Sequence, residues 1–355
     1  MTGVTGMAGK IAVYALTPQG ARLGRALARE LNGALGADLY LPRKLAVPSE
    51  SGEQAFDSLP ALVADTFHAY AGHVFVAACG IVVRAVAPHL RGKANDPAVV
   101  ALDQEGRHVV SLLSGHLGGA NELARRVAQV TGGTPVITTA TDTAGLPSLD
   151  LLARDSGLAI ENLNAVKTLN GGLLAGQVVQ VFDPEGYLVI PAEHFTRFEW
   201  VAAPHLLEPG SPTVAVSWRQ IAVPAGCLVL RPRVVVAGVG CRKGAASSEI
   251  VALLREAFAA KSVALKSLAL LASIDVKRGE PGLLGAAREL GVEIRFYPAE
   301  RLAGVKTPNP SSMPLKHVGV ESVCEAAALL AAGTTRLLVP KMKSKTVTAA
   351  LALAN

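Results

Sequence analysis

The sequence predicts an α/β protein of several domains, with a mostly parallel α/β N-terminal domain, an α+β middle domain and a separate α/β C-terminal domain. Near both ends of the chain, short apolar runs stop at Gly, Pro or Thr and lead into helical stretches, which is typical of parallel α/β sheets. Five prolines between residues 194 and 232 exclude a long helix there. At about 150 residues per domain, 355 residues suffice for two or three domains. We expect domains over residues 10–144, 145–231 and 232–355.

The N-terminal elements follow from the apolar pattern and its breaks. A strand is expected over 11–16, before a loop with Pro18, and a short helix carrying Arg84 is expected after a second strand. The remaining expectations are a helix over 21–31, strands over 73–79, 98–103, 107–113 and 135–139, and a helix over 120–131.

The middle and C-terminal elements are justified in the same way. In the middle domain we expect helices over 149–156 and 163–174 and strands over 177–182, 187–191 and 213–218. In the C-terminal domain we expect strands over 233–238, 293–297 and 336–340, helices over 247–260, 282–290, 318–332 and 347–354, and either a strand or a helix over 267–272.

Composition limits the class of protein. No run of about 20 apolar residues is present, and the N-terminus lacks the basic region of a signal peptide, so we expect a cytoplasmic protein without a membrane span. Four cysteines, none in C-x-x-C spacing, exclude a disulfide scaffold and a zinc ribbon. The eight histidines show no pairing at ligand spacing, so no metal site is expected.

Positive charge is concentrated in the last third of the chain. Residues 1–230 hold 16 Lys and Arg against 19 Asp and Glu, whereas residues 231–355 hold 18 against 9. Such asymmetry indicates a region that meets an anion. Nucleic acid is disfavoured, because single-strand binding needs aromatic platforms and this region has only three aromatic residues. A small polycarboxylate or phosphate fits better, and the alternative is a solvated basic surface.

A glycine-rich turn at 238–244 follows the first C-terminal strand and precedes a helix, where backbone N–H groups favour an anion. Its G-x-G-x-x-x-G spacing departs from the dinucleotide fingerprint, which disfavours a nicotinamide site. We interpret it as a loop that binds carboxylates, and a tight turn without ligand is the alternative. Cys241 beside Arg242 and Lys243 could have a lowered pKa, although a small buried residue is the favoured interpretation.

A second glycine-rich loop, 114–119, precedes the helix that starts near Ala120. His116 can titrate near neutral pH, and Asn121 and Glu122 lie in the first turn of the helix. A histidine beside a carboxylate and free N–H groups predicts an acid–base site. The alternative is that the loop only forms a turn and caps the helix.

Three further segments, 80–84, 93–97 and 138–142, each follow a predicted strand and are rich in small polar residues. Because ligands bind at the carboxyl edge of parallel sheets, we expect these loops and the 114–119 loop to share one rim. The residues expected at this rim are Gly80, Arg84, Lys93, Asp96, His116, Thr138, Thr139 and Asp142.

Long stretches of the chain resemble the CbiG family of cobalamin-biosynthesis proteins. They include residues 80–128, the run PVITTATDT, the run VVVAGVGCRKG and the C-terminal run LLVPKMKSKTVTAALA. Two more, VKRGEPGLLGAARELGV and VESVCEAAALLAAG, fit the C-terminal domain of the same family. The resemblance covers nearly the whole chain and is least distinctive over about 145–231.

The resemblance implies a hydrolase of the anaerobic route, cobalt-precorrin 5A hydrolase. Such an enzyme opens the δ-lactone on the ring A acetate, then releases the former meso carbon with its methyl group as acetaldehyde and leaves cobalt-precorrin 5B. It also implies that the C-terminal domain is similar to a stand-alone protein of the aerobic route. It assigns no catalytic residue. The cobalt arrives with the substrate, so no cofactor of the protein itself is expected.

From the residue pattern together with the family resemblance, we expect His116 to be the catalytic base, oriented by Glu122 or Asp142. The N–H groups of Gly118 and Gly119 are expected to bind the oxyanion. The residues expected to bind substrate are Gly80, Arg84, Lys93, Asp96, Gly115, Gly118, Gly119, Asn121, Thr138, Thr139, Gly238, Gly240, Cys241, Arg242, Lys243, Lys277, Lys341 and Lys343.

The expected partners are the cobalt-precorrin substrate, a second copy in a homodimer, and neighbouring pathway enzymes in transient contact. Neither nucleic acid nor a membrane is expected as a partner. One alternative is a non-catalytic carrier of the intermediate, which would not need the His116 loop. A nucleotide-dependent enzyme is disfavoured because the chain lacks a P-loop.

Overall fold

The computed structural model describes residues 9–47, 52–92, 95–310 and 320–354. The chain divides into two compact units, Met1–Asp155 and Ser156–Asn355. Three sheets, each with helices, confirm the mixed α/β class. The predicted domain boundaries stay a prediction: residues 145–155 belong to the first unit, and the middle and C-terminal sheets share the second.

The first unit contains a seven-stranded sheet of order β3-β2-β1-β4-β5-β6-β7. Its strands are β1 (Ile11–Ala15), β2 (Ala37–Pro42), β3 (Glu53–Phe56), β4 (Gly72–Val76), β5 (Ala98–Leu102), β6 (His108–Leu113) and β7 (Thr134–Val136). Its helices are α1 (Pro18–Leu35), α2 (Leu59–Thr66), α3 (Cys79–Val86), α4 (Ala120–Thr131), α5 (Ala140–Thr143) and α6 (Leu149–Asp155).

Strands β1 to β5 are parallel, and their side chains are buried most completely in β1, β4 and β5. Helix α1 begins where Thr17 accepts a hydrogen bond from the Gly20 N–H at 3.0 Å, with Pro18 in its first position. The strands β2 and β3 and the helix α2 have no counterpart among the predicted elements.

The direction of β6 decides where the functional loops lie. Strand β6 is antiparallel to β5, with Leu113 opposite Val99, and β7 is parallel to β6. The loops that follow β6 and β7 therefore lie at the amino edge of β1–β5. The loop after β4 lies at the opposite, carboxyl edge.

The middle sheet has the order β10-β9-β11-β12-β8, and only β8 is antiparallel to its neighbour. Its elements are β8 (Leu158–Ile160), α7 (Asn164–Leu174), β9 (Val179–Phe182), β10 (Phe198–Trp200), β11 (Thr213–Val216) and β12 (Leu228–Pro232). The strand predicted over 187–191 is wrong, because this segment pairs with no strand and the Asp183 carboxylate accepts its Leu188 N–H at 2.7 Å instead.

The middle and C-terminal sheets are joined within the second unit by several contacts. The Ala264 N–H donates to the Trp218 carbonyl at 2.9 Å, and the Trp218 ring lies in the C-terminal core. The Lys266 ammonium donates to the carbonyls of Ile160 and Glu161 at 3.1 and 3.0 Å. These contacts explain why the two sheets form one compact unit.

The C-terminal sheet has the order β15-β14-β13-β17-β16. Its strands are β13 (Val235–Cys241), β14 (Leu268–Ile274), β15 (Glu293–Tyr297), β16 (Leu337–Lys343) and β17 (Val347–Leu353). Its helices are α8 (Ser247–Ala259), α9 (Pro281–Leu290), α10 (Ala299–Ala303) and α11 (Val323–Ala332).

The helix predicted over 347–354 is wrong, because this segment is β17. It pairs antiparallel with β13 from Val347 to Leu353, and alternate residues enter the two apolar clusters on opposite faces of the sheet. Burial on both faces selects a continuous apolar strand, which outweighs the helix propensity of its alanines.

Candidate active site

The loop between β6 and α4 holds His116 in a tight turn. The Ala120 N–H donates to the Ser114 carbonyl at 3.0 Å, and the Gly119 N–H donates to the His116 carbonyl at 2.8 Å. Ser114 has φ 59° and Gly119 has φ 86°, the left-handed region that only glycine adopts easily. A Cβ on Gly118 would collide with Ser114. The turn therefore fixes the His116 backbone.

Two hydroxyls and two carboxylates surround the His116 ring. The Thr141 Oγ1 lies 3.1 Å from Nε2, and the Ser148 Oγ lies 3.2 Å from Nδ1. The Asp142 Oδ2 is 3.4 Å from Nε2, and the Asp150 Oδ2 is 3.6 Å from Nδ1. The His116 side chain is only 18% exposed, so these four groups, and not water, form most of its surroundings.

The pKa values of His116 and Asp150 are displaced from their ordinary ranges. The hydrogen bond to Asp150 raises the pKa of His116, burial acts in the opposite direction, and the charges of Asp150 and Asp142 add to the rise. Burial alone would raise the pKa of the Asp150 carboxyl. The hydrogen bonds from His116 and Ser148 outweigh burial and hold that pKa below its usual range.

Asn121 connects the His116 loop to the Asp142 segment. Its amide oxygen accepts the Ser111 hydroxyl at 2.6 Å, and its amide nitrogen donates to Thr139 Oγ1 at 2.8 Å and to Asp142 Oδ2 at 2.9 Å. Arg125 binds the other oxygen of Asp142 at 2.5 Å. A Cβ on Gly115 would lie 2.7 Å from the Asn121 Oδ1, so glycine at 115 admits this amide.

The prediction that Glu122 orients His116 is wrong. The Glu122 side chain is 54% exposed and faces Arg125 at 3.8 Å, because it lies on the outer side of the first turn of α4. The expectation of a free Gly119 N–H is also wrong, since that group is bound by the His116 carbonyl. The Gly118 N–H has no partner within the described part of the chain. Thr138 is exposed, whereas Thr139 joins the cluster through its hydrogen bond from the Asn121 amide.

The sequence does not identify three partners of His116, namely Thr141, Ser148 and Asp150. The last two flank the start of α6, where Ser148 directs its hydroxyl to the Asp150 carboxylate. The available signal is a Ser and an Asp at the start of a predicted helix. Because they lie more than 30 residues from His116, spacing alone does not place them beside it.

The expected single rim is wrong. Gly80 follows β4 at the carboxyl edge of the sheet, where its carbonyl accepts the Arg84 guanidinium at 2.9 Å. His116 and Asp142 lie at the opposite edge because β6 and β7 run in reverse. The Asp96 carbonyl does reach the His116 loop, 3.2 Å from the position that a Gly118 Cβ would take.

The side chain of Asp96 has a structural role in its own loop. Its carboxylate accepts the N–H groups of Arg91 and Gly92 at 2.8 and 2.9 Å, and the residue is 6% exposed. Its predicted contact with substrate stays a prediction. Lys93 lies outside the described residues.

The predicted anion loop of the C-terminal domain, residues 238–244, lies partly within a strand, and its binding of carboxylates stays a prediction. Gly238 and Gly240 lie within β13 and are paired with β17. A Cβ on Gly238 would collide with the backbone of Cys324, so this glycine allows α11 to pack on the sheet. The Gly244 N–H donates to the buried Glu280 carboxylate at 2.7 Å, so an internal anion holds the turn.

The surroundings of Cys241 disfavour its thiolate form. Burial raises the pKa of its thiol, and the charge of nearby Lys277 offsets this rise only in part. The favoured interpretation of Cys241 as a small, partly buried residue agrees with this direction.

The predicted cations of the C-terminal domain lie at or near the carboxyl edge of β13, β14 and β16. Arg242 and Lys243 are exposed directly after β13, and Lys343 is exposed at the end of β16. Lys277 follows β14 and pairs with Glu280 at 3.4 Å. Lys341 differs, because its ammonium donates to the Asn309 carbonyl and its N–H donates to Glu325 at 2.9 Å.

Neither a metal-ligand cluster nor a membrane span is found in the described parts of the chain. Within 9–47, 52–92, 95–310 and 320–354, no group of three or more His, Cys, Asp and Glu side chains could hold a metal ion. No described helix has both the length and the apolar character needed to cross a membrane.

Three family models match successive parts of the chain. A model described as Cobalamin synthesis G N-terminal matches residues 61–142, one described as Cobalamin biosynthesis central region matches 147–232, and one described as Cobalamin synthesis G C-terminus matches 235–352. The order is the one predicted from the sequence motifs.

Relatives match over the same span. The chain is 32% identical over 364 residues to the cobalt-precorrin-5A hydrolase of Priestia megaterium, covering 97% of this chain and 95% of that protein. It is 36% identical over 365 residues to the enzyme of the same name from Salmonella typhimurium, with 97% and 98% covered. Protein CobE of Sinorhizobium sp is 38% identical over 120 residues, 33% of this chain and 78% of that protein. The chain therefore belongs to the CbiG family of cobalamin-biosynthesis proteins.

Proposed function

We propose that this protein is a cobalt-precorrin-5A hydrolase, which opens the δ-lactone of its substrate and releases acetaldehyde to give cobalt-precorrin 5B. The observation that carries the proposal is the match to two hydrolases of that name along 97% of the chain. The His116 cluster supplies what a hydrolase needs and what a carrier does not, a titratable group flanked by carboxylates.

The reaction requires proton transfer at two points. Water must add to the lactone carbonyl as the ring C–O bond breaks, and the resulting alcohol must lose its proton as the C–C bond breaks. His116 is the group that transfers these protons, and the N–H of Gly118, which has no partner among the described residues, is the donor available for an oxyanion.

The substrate is a flat molecule with many acetate and propionate groups. The C-terminal third of the chain holds twice as many Lys and Arg as Asp and Glu, 18 against 9. Its exposed cations at the carboxyl edge, Arg242, Lys243 and Lys343, are the groups that bind such carboxylates.

The setting of the reaction follows from the substrate and the thiols. The enzyme uses no cofactor of its own, because the macrocycle carries the cobalt. We place the reaction in the cytoplasm, where four free cysteines remain reduced. A homodimer and transient contacts with neighbouring pathway enzymes belong to the same proposal.

The direct test is acetaldehyde release from cobalt-precorrin 5A by the purified protein, with the macrocyclic product identified by mass. His116→Ala should lower the rate by about 10²–10⁴-fold, the usual contribution of general acid–base catalysis. His108→Ala is the matched control, because the His108 side chain is exposed on β6 and faces Asp103 at 3.6 Å. Binding of the substrate without acetaldehyde release would identify a carrier instead.

A further inference from the structure

The hydrogen atoms around Nδ1 of His116 can be assigned from its neighbours. The Ser148 hydroxyl donates its hydrogen to the Asp150 Oδ1, so its oxygen faces Nδ1 with a lone pair at 3.2 Å. The Asp150 Oδ2, 3.6 Å from the same nitrogen, is also an acceptor. An unprotonated Nδ1 would face two acceptors, so the geometry requires a proton there.

The other ring nitrogen also faces a carboxylate. The Asp142 Oδ2 lies 3.4 Å from Nε2, and the Thr141 hydroxyl, which can donate or accept, lies at 3.1 Å. A lone pair on Nε2 would oppose the negative oxygen of Asp142. A proton on Nε2 replaces that repulsion with an attraction, and the Thr141 oxygen can then accept a hydrogen bond from Nε2.

The charges of the elements around the ring favour protonation of both nitrogens. Helix α4 contributes Arg125, α5 contributes Asp142, and α6 contributes Asp150. Glu122 on α4 is exposed and faces Arg125 away from the ring. The Arg125 charge offsets that of Asp142, and a charged His116 offsets that of the buried Asp150, which lowers the cost of burying both ions.

We infer that His116 rests as an imidazolium ion between Asp150 and Asp142 and acts first as a proton donor and then as a proton acceptor. Asp150 is the positioning residue that holds the charged ring. The inference rests on the proposed hydrolase function for its chemical steps, while the charge of the resting ring can be measured without substrate.

The two steps balance in atoms and electrons. In the first, the water oxygen bonds to the lactone carbonyl carbon, the ring C–O bond breaks, and the departing oxygen takes a proton from His116. Both water protons pass to the solvent, which leaves a carboxylate, an alcohol and a neutral imidazole.

In the second step, the imidazole takes the alcohol proton as the C–C bond breaks and the acetaldehyde C=O forms. The electron pair of the broken bond enters the macrocycle, which takes one proton from the solvent. His116 is again an imidazolium, so one side chain serves both steps.

Nuclear magnetic resonance of the full-length protein with ¹⁵N-labelled histidine measures the charge of the resting ring. The signal that disappears in His116→Gln identifies the residue. Its titration midpoint should lie above the ordinary value of 6.5, and Asp150→Asn should move it back toward that value. Asp155→Asn is the matched control, since Asp155 is on the same helix but pairs with Arg154 at 2.8 Å.

A midpoint at or below 6.5 in the unsubstituted protein overturns the inference, and this measurement does not depend on the folding of any variant. A midpoint that Asp150→Asn leaves unchanged in a folded protein also overturns it. In Asp155→Asn the His116 titration midpoint should equal that of the unsubstituted protein. A shift as large as that in Asp150→Asn would contradict a specific role of Asp150.

The pH dependence of acetaldehyde release tests the order of the two proton transfers. A proton donor predicts that kcat/KM falls as pH rises through the His116 midpoint, and that Asp150→Asn moves this fall to lower pH by the shift seen in the spectra. A rate that instead rises as His116 loses its proton overturns the order. A high midpoint without any acetaldehyde release would refute the hydrolase proposal and leave the imidazolium assignment standing.

Discussion

At the scale of single residues, Asn121 determines how the Asp142 carboxylate is held beside His116. Its amide joins β6, the loop before α5 and the Asp142 carboxylate through three hydrogen bonds of 2.6 to 2.9 Å. Asp142 is thereby held with one oxygen toward Arg125 and the other toward His116. The position of this carboxylate is fixed before any substrate binds.

Asp142→Asn should lower the rate of acetaldehyde release by about 10–100-fold, because it removes one of the two charges that stabilise the His116 imidazolium. Glu122→Gln, one residue after Asn121, should change the rate by less than about twofold, since the exposed Glu122 carboxylate faces Arg125 and not the ring. Steady-state rates of the two variants, with circular dichroism as a check on folding, measure the contrast. Equal losses in both would contradict the assignment of Asp142.

The sequence identifies His116 and Asp142 because both lie in polar loops that follow strands. It does not identify Asp150, because adjacency to His116 depends on the path of the chain through α4, β7 and α5. It wrongly favours Glu122, because position in the first helical turn does not fix which side of the helix faces the loop. Local chemistry can be predicted from sequence, whereas contacts between distant segments cannot.

At the scale of elements, the packing of α11 on β13 depends on the absence of a side chain at Gly238. Any Cβ at this position would overlap the backbone of α11 at Cys324. Gly238→Ala should lower the free energy of unfolding by about 3 kcal/mol, the upper end for overpacked cores. Denaturant unfolding measures the loss.

The matched control for this substitution is Gly279→Ala in the same domain. A Cβ added at Gly279 would meet no atom within 4 Å, and this residue does not need a left-handed backbone. Its replacement should change stability by no more than about 0.5 kcal/mol. If Gly238→Ala were as stable as Gly279→Ala, α11 could move away from β13 without lowering the free energy of unfolding.

Strands and helices are predicted well where an apolar run alternates with helical stretches. They are predicted poorly where the direction of a strand or its burial on both faces determines the structure. The strand pair predicted from the turn signal around Gly106 is confirmed, because β5 and β6 pair antiparallel. The antiparallel direction of β6 follows from that pairing. Which edge of the sheet then carries the loops after β6 and β7 depends on the full strand order. Strand β17 shows the other failure, because an alanine-rich segment carries no signal for burial on both faces.

At the scale of the whole molecule, the uneven charge predicts a binding behaviour. Replacing Arg242 and Lys243 together by Ala should weaken binding of a polycarboxylated cobalt corrinoid and flatten its salt dependence. The reason is screening, because the Debye length falls from roughly 10 Å at 0.1 M to about 3 Å at 1 M. Absorbance titration of the full chain at both salt concentrations measures both effects.

The control for this experiment is Lys266→Ala, since Lys266 donates to the carbonyls of Ile160 and Glu161 and is not free to bind a ligand. It removes a cation from the same third of the chain without touching the carboxyl edge. Affinity equal to that of the unsubstituted protein in the Arg242 and Lys243 double variant would mean that this edge is only a solvated surface.

The Glu280 carboxylate on the Gly244 N–H acts as a built-in competitor for anions. A group tethered within the same chain has an effective concentration in the millimolar range or above, so acetate or phosphate at lower concentration cannot displace it. The turn is consequently insensitive to simple anions. Under the proposed function, binding at this edge depends on several exposed cations acting at once, which favours multivalent carboxylates over monovalent ones.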